Sequence, residues 1–180
     1  MIIIGISGKA RHGKDTVATL IEVEAMLAGA WSARLHFADL LKVEAKGCGW
    51  NGEKDDFGRY LLQAIGSERR KQDPKYWINS VRDQVDNFSQ MSVYVNKYIV
   101  IPDVRHVNEF EWIRNAGGVL WRVQKIDAED DLSGDAARHE SETALDEKAR
   151  NGEFDAYIRA KSGDFRSLHE QVKELIRELG

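Results

Sequence analysis

Between a short apolar run at residues 2–6 (IIIGI) and a set of apolar residues at helical spacing lies Gly8-Lys9-Ala10-Arg11-His12-Gly13-Lys14-Asp15-Thr16. The run has the unbroken apolar character of a strand covered on both faces. Val17, Leu20, Ile21, Ala25 and Ala28 fall on one side of a helix. Gly-x4-Gly-Lys between such a strand and such a helix is the phosphate-binding P-loop. Its glycines let the backbone curl so that successive N–H groups point at phosphate oxygens, and the helix N-terminus adds a partial positive charge. Lys14 would reach the β- and γ-phosphates and follow the charge as it develops in transfer. Asp15 stands where a Ser or Thr commonly binds Mg²⁺ directly. Asp15 could therefore hold the ion through water, with the Thr16 hydroxyl on a phosphate or a metal-bound water.

A strand leading into a helix through this loop commits the chain to an α/β architecture, and the remaining sequence continues the alternation. Further strands are expected at residues 34–37, 98–101, 119–123 and 156–158. Together with the first they make a five-stranded parallel sheet flanked by helices, the three-layer P-loop NTPase sandwich. Residues 40–95 are mainly helical, with Leu61, Leu62 and Ile65 on one stripe and Trp77, Ile78, Val81 and Val85 on another. This is where a kinase of this size places its substrate-binding helices. A helix over residues 107–116 should turn Val107, Phe110 and Ile113 inward before Gly117 and Gly118 stop it. Residues 125–142 hold a polar, acidic stretch without clear period and are expected to form a lid loop. The last helix carries Leu168, Val172, Leu175, Ile176 and Leu179 as one apolar stripe. A chain of 180 residues fits one such domain, 1–180.

Several side chains fall where a parallel sheet gathers its ligand-binding groups. Asp103 follows the third strand, the place of a Walker-B carboxylate on Mg²⁺, although capping the next helix is an equally ordinary use. Arg105 could bridge phosphates or pair with a nearby acid. Asp39 and Lys42 lie beyond the second strand and could touch an acceptor phosphate or sugar, or be a helix cap and a surface lysine. Arg59 and Gln63 are four apart and share a helix face, suited to a nucleotide's phosphate and base together. Trp77, Tyr76 and Phe57 offer stacking surfaces for a base, but aromatic residues in such helices also serve as core. His139, Glu140 and Glu142 lack the spacing of a zinc site.

In order along the chain, GKARHGKDT, FADLLK, RYLLQAIGSE with DPKYW, IPDVRHVNEFEWIRNAGG and HESETAL resemble the bacteriophage deoxynucleoside monophosphate kinases. The similarity spans most of the chain. It implies a P-loop kinase that uses Mg²⁺ and ATP, with a deoxynucleoside monophosphate as acceptor and a place in deoxynucleotide biosynthesis. ATP would be held by Gly8, Arg11, His12, Gly13, Lys14, Asp15 and Thr16. By matched position, Arg59, Gln63, Trp77, Asp103, Arg105 and Glu109 would line the acceptor side or the metal, with Asp39 and Lys42 beside them. Asp15, Thr16 and Asp103 are the Mg²⁺ candidates. Lys14, Arg11, Arg105 and Asp103 form the catalytic set, and Arg138 is the lid candidate that closes over the transferred group. Some members carry a lysine at the position of Ala10, where here the neighbour is Lys9.

The bulk properties narrow the partners. Lys plus Arg number 26 against 30 Asp plus Glu, a formal charge of −4 without a dense basic run. That disfavours binding to a nucleic-acid polymer, which needs a basic surface to displace counterions. No stretch reads as membrane-spanning or as a signal peptide, so a cytoplasmic protein is expected, in the host cell if phage-encoded. The one cysteine, Cys48, has no partner for an internal disulfide. A homodimer is left open. The P-loop reports the donor and not the acceptor, so a phosphomevalonate or dephospho-coenzyme A kinase remains an alternative, as does a nucleotide-binding regulator without catalysis.

Overall fold

The computed structural model describes residues 1–90, 96–127 and 140–179, with the side chains of residues 140 and 141 excepted. The expected Arg138 and His139 positions, and most of the expected lid, lie outside the described residues. By internal packing the chain divides into two compact units, Met1–Arg34 with Ser92–Gly180, and Leu35–Met91.

The first unit is built on a parallel sheet in the order β2-β3-β1-β4-β5. Its strands are β1 (Ile2–Ser7), β2 (Trp31–Arg34), β3 (Lys97–Ile101), β4 (Val119–Lys125) and β5 (Ala156–Ala160). Strand β1 is central, pairing Ile2 with Tyr98 on one side and Ile4 with Val119 on the other. Its apolar run is explained by that position, because both faces are covered. Ile4 and Ile6 meet Val17, Ile21 and Ala25 of α1 (Lys14–Leu27) and join a core that includes Val172 and Ile176 of the last helix (Phe165–Leu179). Each fully buried aliphatic side chain of this kind contributes about 1.5–3 kcal/mol.

Gly5 faces the other way, against α5 (Val107–Asn115). A Cβ there would lie 2.6 Å from the Ile113 side chain, so only glycine lets the helix settle on the centre of the sheet. Two short helices, α6 (Glu140–Thr143) and α7 (Asp146–Arg150), precede β5, and α8 (Phe165–Leu179) closes the unit. The second unit is helical, with α2 (Ala38–Gly47), α3 (Asp56–Gln72) and α4 (Tyr76–Ser89). Among the described residues no helix is long and apolar enough to cross a membrane.

Two expectations are corrected. The second strand lies at Trp31–Arg34 rather than 34–37, because the chain leaves α1 by a tight turn and pairs at once, Trp31 beside Lys97 and Arg34 beside Val100. Leu35 and Phe37 are buried but belong to the link before α2. Val107 is 45% exposed in the first turn of α5, while Phe110 and Ile113 face the core with the buried carboxylate of Glu109.

Candidate nucleotide site

Parallel sheets bind ligands beyond the carboxyl ends of their strands, where neighbouring strands send their connections to opposite faces. Here that point lies between β1 and β3. The link from β1 runs through α1, which packs with α8, whereas the link from β3 runs through α5 on the other face. The P-loop leaves the end of β1, and Asp103 and Arg105 follow the end of β3. The topology therefore brings the donor loop and the Asp103 to Arg105 segment to one edge.

The loop is shaped by close approach and by left-handed backbone. A Cβ at Gly8 would sit 2.6 Å from the Val123 carbonyl oxygen, so the loop starts tight against β4. Gly13 has φ 91° and precedes α1, and Arg11 has φ 59°, a conformation that costs a non-glycine residue free energy. The Lys125 N–H donates to His12 Nδ1 at 3.4 Å, which ties the loop to the end of β4. The N-cap of α1 is Gly13, which has no side chain to cap the helix, so its first N–H groups point towards the loop as an anion site would require.

Lys14 is 8% exposed, and its Nζ donates to the carbonyl oxygens of Gly8 and Lys9 at 2.8 and 2.7 Å. Burial, reinforced by the Arg105 charge and opposed by Glu142 and Asp15, pushes the Lys14 ammonium down to about 8. A cation held this way is ready to exchange two carbonyl partners for phosphate oxygens. Asp15 is exposed in the first turn of α1, and Thr16 is half-buried behind it.

The sequence reading missed what braces the loop. Lys9 Nζ donates to the Glu142 carbonyl oxygen at 2.5 Å and to Asp146 Oδ2 at 2.6 Å. The Glu142 carboxylate accepts the Ala10 N–H at 3.1 Å and pairs with the Arg105 guanidinium. Asp146 also accepts from Arg122, whose other guanidinium nitrogen donates to Ser7 Oγ at 2.9 Å. Glu142 and Asp146 are four apart across two short helices, in the HESETAL segment, and nothing in their spacing announces a contact with residues 9 and 10. Arg105 thus pairs with an acid, Glu142, beside the P-loop.

Glu109 is corrected as a ligand. It is 2% exposed and accepts from the backbone N–H groups of Arg105 and His106 at 2.8 and 3.0 Å, so its carboxylate closes the start of α5. Asp103 is half-buried after β3. A cavity of about 130 Å³ lies beside the loop, with Arg11, Gly13 and Thr16 on one side and Lys161, Ser162 and Gly163 on the other. The segment after β5 was also absent from the sequence reading, since a Lys-Ser-Gly-Asp turn carries no distinctive pattern.

The remaining acceptor candidates belong to the helical unit. Trp77 is 2% exposed and its indole N–H donates to the Gly66 carbonyl oxygen at 3.3 Å, so it is core and offers no stacking face. Tyr76 donates to Glu44 at 2.5 Å, and Phe57 is 62% exposed. Asp39 pairs with Lys42 at 3.0 Å and lies 3.2 Å from His36 Nδ1. Arg59 is exposed and Gln63 half-buried, both on α3.

Mg²⁺ takes one or two carboxylates together with waters and substrate phosphates, rather than a cage of protein ligands. The oxygen donors of Asp15, Thr16 and Asp103 fit that chemistry. Among the described residues no group of three or more His, Cys, Asp or Glu is arranged to hold an ion alone.

No protein-family model matches the chain, and no curated protein matches it. Two solved structures share its architecture over nearly the whole length. The dephospho-CoA kinase from Campylobacter jejuni is 11% identical with a TM-score of 0.53, covering 99% of this chain and 97% of its own. The shikimate kinase from Acinetobacter baumannii, in complex with shikimate, is 14% identical with a TM-score of 0.51, covering 99% and 94%. At these identities the likeness is one of fold, a five-stranded parallel sheet flanked by helices.

Proposed function

We propose that the chain is a deoxynucleoside monophosphate kinase, transferring the γ-phosphoryl group of ATP to a dNMP to give dNDP and ADP. The observation that carries the donor half is the buried Lys14 ammonium, held at the sheet's switch point beside a curled glycine loop and the Arg105 guanidinium. The acceptor half is supported by the resemblance to the phage enzymes, which covers most of the chain.

An acceptor phosphate with a second pKa near about 6 is largely ionised at neutral pH. Its oxygen can attack in line without a dedicated base, so the protein's task is positioning and charge neutralisation. Lys14 leaves the Gly8 and Lys9 carbonyls for the β- and γ-phosphate oxygens. The P-loop N–H groups hold the chain of phosphates, and Arg105 and Arg11 neutralise charge on the group in transit. Asp15, Thr16 and Asp103 would hold Mg²⁺, directly or through water; the ion supplies Lewis-acid neutralisation of the phosphate charge. Arg59 and Gln63 are the acceptor-side residues retained in this reading, with Asp39 and Lys42.

Incubation of the protein with Mg-ATP and each 5′-monophosphate, scored for diphosphate product, tests it. Formation of dNDP from one or more deoxynucleotides is expected. The fold is shared with the dephospho-CoA kinase at TM-score 0.53, so dephospho-CoA and phosphomevalonate belong in the same panel. Turnover confined to either would replace the acceptor. ATP binding with no phosphorylated product from any compound would leave a nucleotide-binding regulator.

A further inference from the structure

A second cavity, of about 480 Å³, is walled by the ends of β4 and β5 and by α7, and reaches the P-loop only at Lys9 and His12. Its volume is within the range that encloses small molecules. The charge of its lining is opposite to that of the chain. Lys9, Arg122, Lys125, Arg150 and Arg159 surround it against one carboxylate, Asp146, whereas the chain carries a formal −4. Among the described lining residues, five cations against one anion give a formal charge of +4.

Three of these cations, Lys125, Arg150 and Arg159, have no carboxylate partner among the described residues. Asp146 is already divided between Lys9 and Arg122. Arg122 is a built part of the wall, 7% exposed, with an Nε that has no hydrogen-bond partner among the described residues. Its burial opposes its charge, which Asp146 only partly offsets. Arg159 bonds only neutral groups, donating to Gln124 Oε1 at 2.8 Å and lying over the Tyr157 ring. The side chains of Lys125 and Arg150 form no ion pair among the described residues. Concentrating like charges around a recess is unfavourable without a counter-anion, and recesses lined by one sign of charge concentrate ligands of the other.

We propose that this cavity is a second anion site, bordering the P-loop at Lys9 and His12 but away from Lys14, which binds a compact ligand carrying two or more linked phosphate groups. A single phosphate would leave most of the charge unmatched. The acidic balance of the rest of the chain argues against a nucleic-acid strand, which needs an extended basic track. The shared chemistry is that of a condensed phosphate, inorganic or as the tail of a nucleotide. Arginine suits it because its planar fork binds phosphate oxygens in pairs.

The test uses the full chain with Lys14→Ala, which disables the P-loop. Inorganic tripolyphosphate is titrated calorimetrically at low salt, and the titration is repeated after adding Arg150→Gln and Arg159→Gln. Both arginines are exposed and outside the donor loop, so a matching thermal melt certifies the fold. The site predicts that Lys14→Ala alone still binds tripolyphosphate with a defined stoichiometry. It predicts a loss of about tenfold or more on removing the two arginines, the effect of charge-assisted hydrogen bonds. Titration with ATP separates the sources: tighter binding than tripolyphosphate identifies a nucleotide, and equal or weaker binding an inorganic ligand. Loss of all binding with Lys14→Ala, a smaller effect of the arginine pair, or equal affinity for monophosphate would each overturn the proposal. None of these outcomes depends on which acceptor the enzyme phosphorylates.

Discussion

Lys14 shows how one side chain ties binding to pH. Its ammonium ionises at about 8 because it is buried among carbonyls with Arg105 nearby. Phosphate requires the protonated form and raises the pKa on binding, so affinity for ATP should be flat below pH 8. Above it, affinity should fall by up to about tenfold per pH unit until the bound-state pKa is reached. Stability has the opposite sign. A lysine with its pKa lowered on folding penalises the folded state in full below about 8, and the penalty fades as pH rises from there towards the unfolded value of 10.5. Nucleotide titrations at pH 7, 8 and 9 check the first statement, and Lys14→Ala should flatten the curve while reducing transfer roughly 100-fold or more. Near-normal turnover in that variant would refute the mechanism. The placement of Lys14 at the start of α1, behind the glycine loop, was legible in the sequence because the motif is local. The bracing of Lys9 and Ala10 by Glu142 and Asp146 was not, since it joins positions more than 130 apart along the chain. Asp146 is the carboxylate that Arg122, a buried cation, donates to, so Asp146→Asn should cost about 3 kcal/mol, read from denaturant unfolding.

Elements were legible where a periodic pattern and a stop signal coincided. Strand β1, α5 and the final helix have both, and their expected positions differ from the observed ones by only a few residues. Strand β2 was displaced by three residues because it is only four residues long, all of them half-buried, and its register is set by β3, a partner more than sixty residues away. The same limit explains Glu109, which by sequence looks like a site carboxylate. Its reach back to the Arg105 and His106 N–H groups makes it the cap of α5. Glu109→Ala would strip both buried donors of their partner and is expected to cost about 1–3 kcal/mol in chemical denaturation. Glu109→Gln, which keeps an acceptor oxygen, should cost less, and equal losses in the two variants would count against capping. Within the helical unit, Glu44 accepts from Tyr76 and Arg69, bonds that hold its carboxyl below its ordinary 4.5. Its contribution is therefore present above pH 4.5 and disappears as pH falls through the lower folded value. Acid unfolding of Glu44→Gln should lose that component of the pH dependence.

At the scale of the molecule, the sheet order places the donor loop and the Asp103 to Arg105 segment at one edge whichever acceptor is used, and this is why the fold can be shared at 11–14% identity. Under the proposed function, a bound donor would also be a source of stability. A ligand that binds only the folded chain stabilises it by about 2.7 kcal/mol at one hundred times its dissociation constant. For a chain of this size that corresponds to a rise of roughly 5–10 °C in melting temperature. Mg-ATP should produce this shift in a thermal melt. Chelating the ion should reduce it, because the phosphate charge would then lack its counter-cation. Lys14→Ala should bring the P-loop's share close to zero even with Mg²⁺ present. If the wild-type melt is unmoved by Mg-ATP at saturating concentration, the loop does not grip a nucleotide and the donor half of the proposed function fails at its first step.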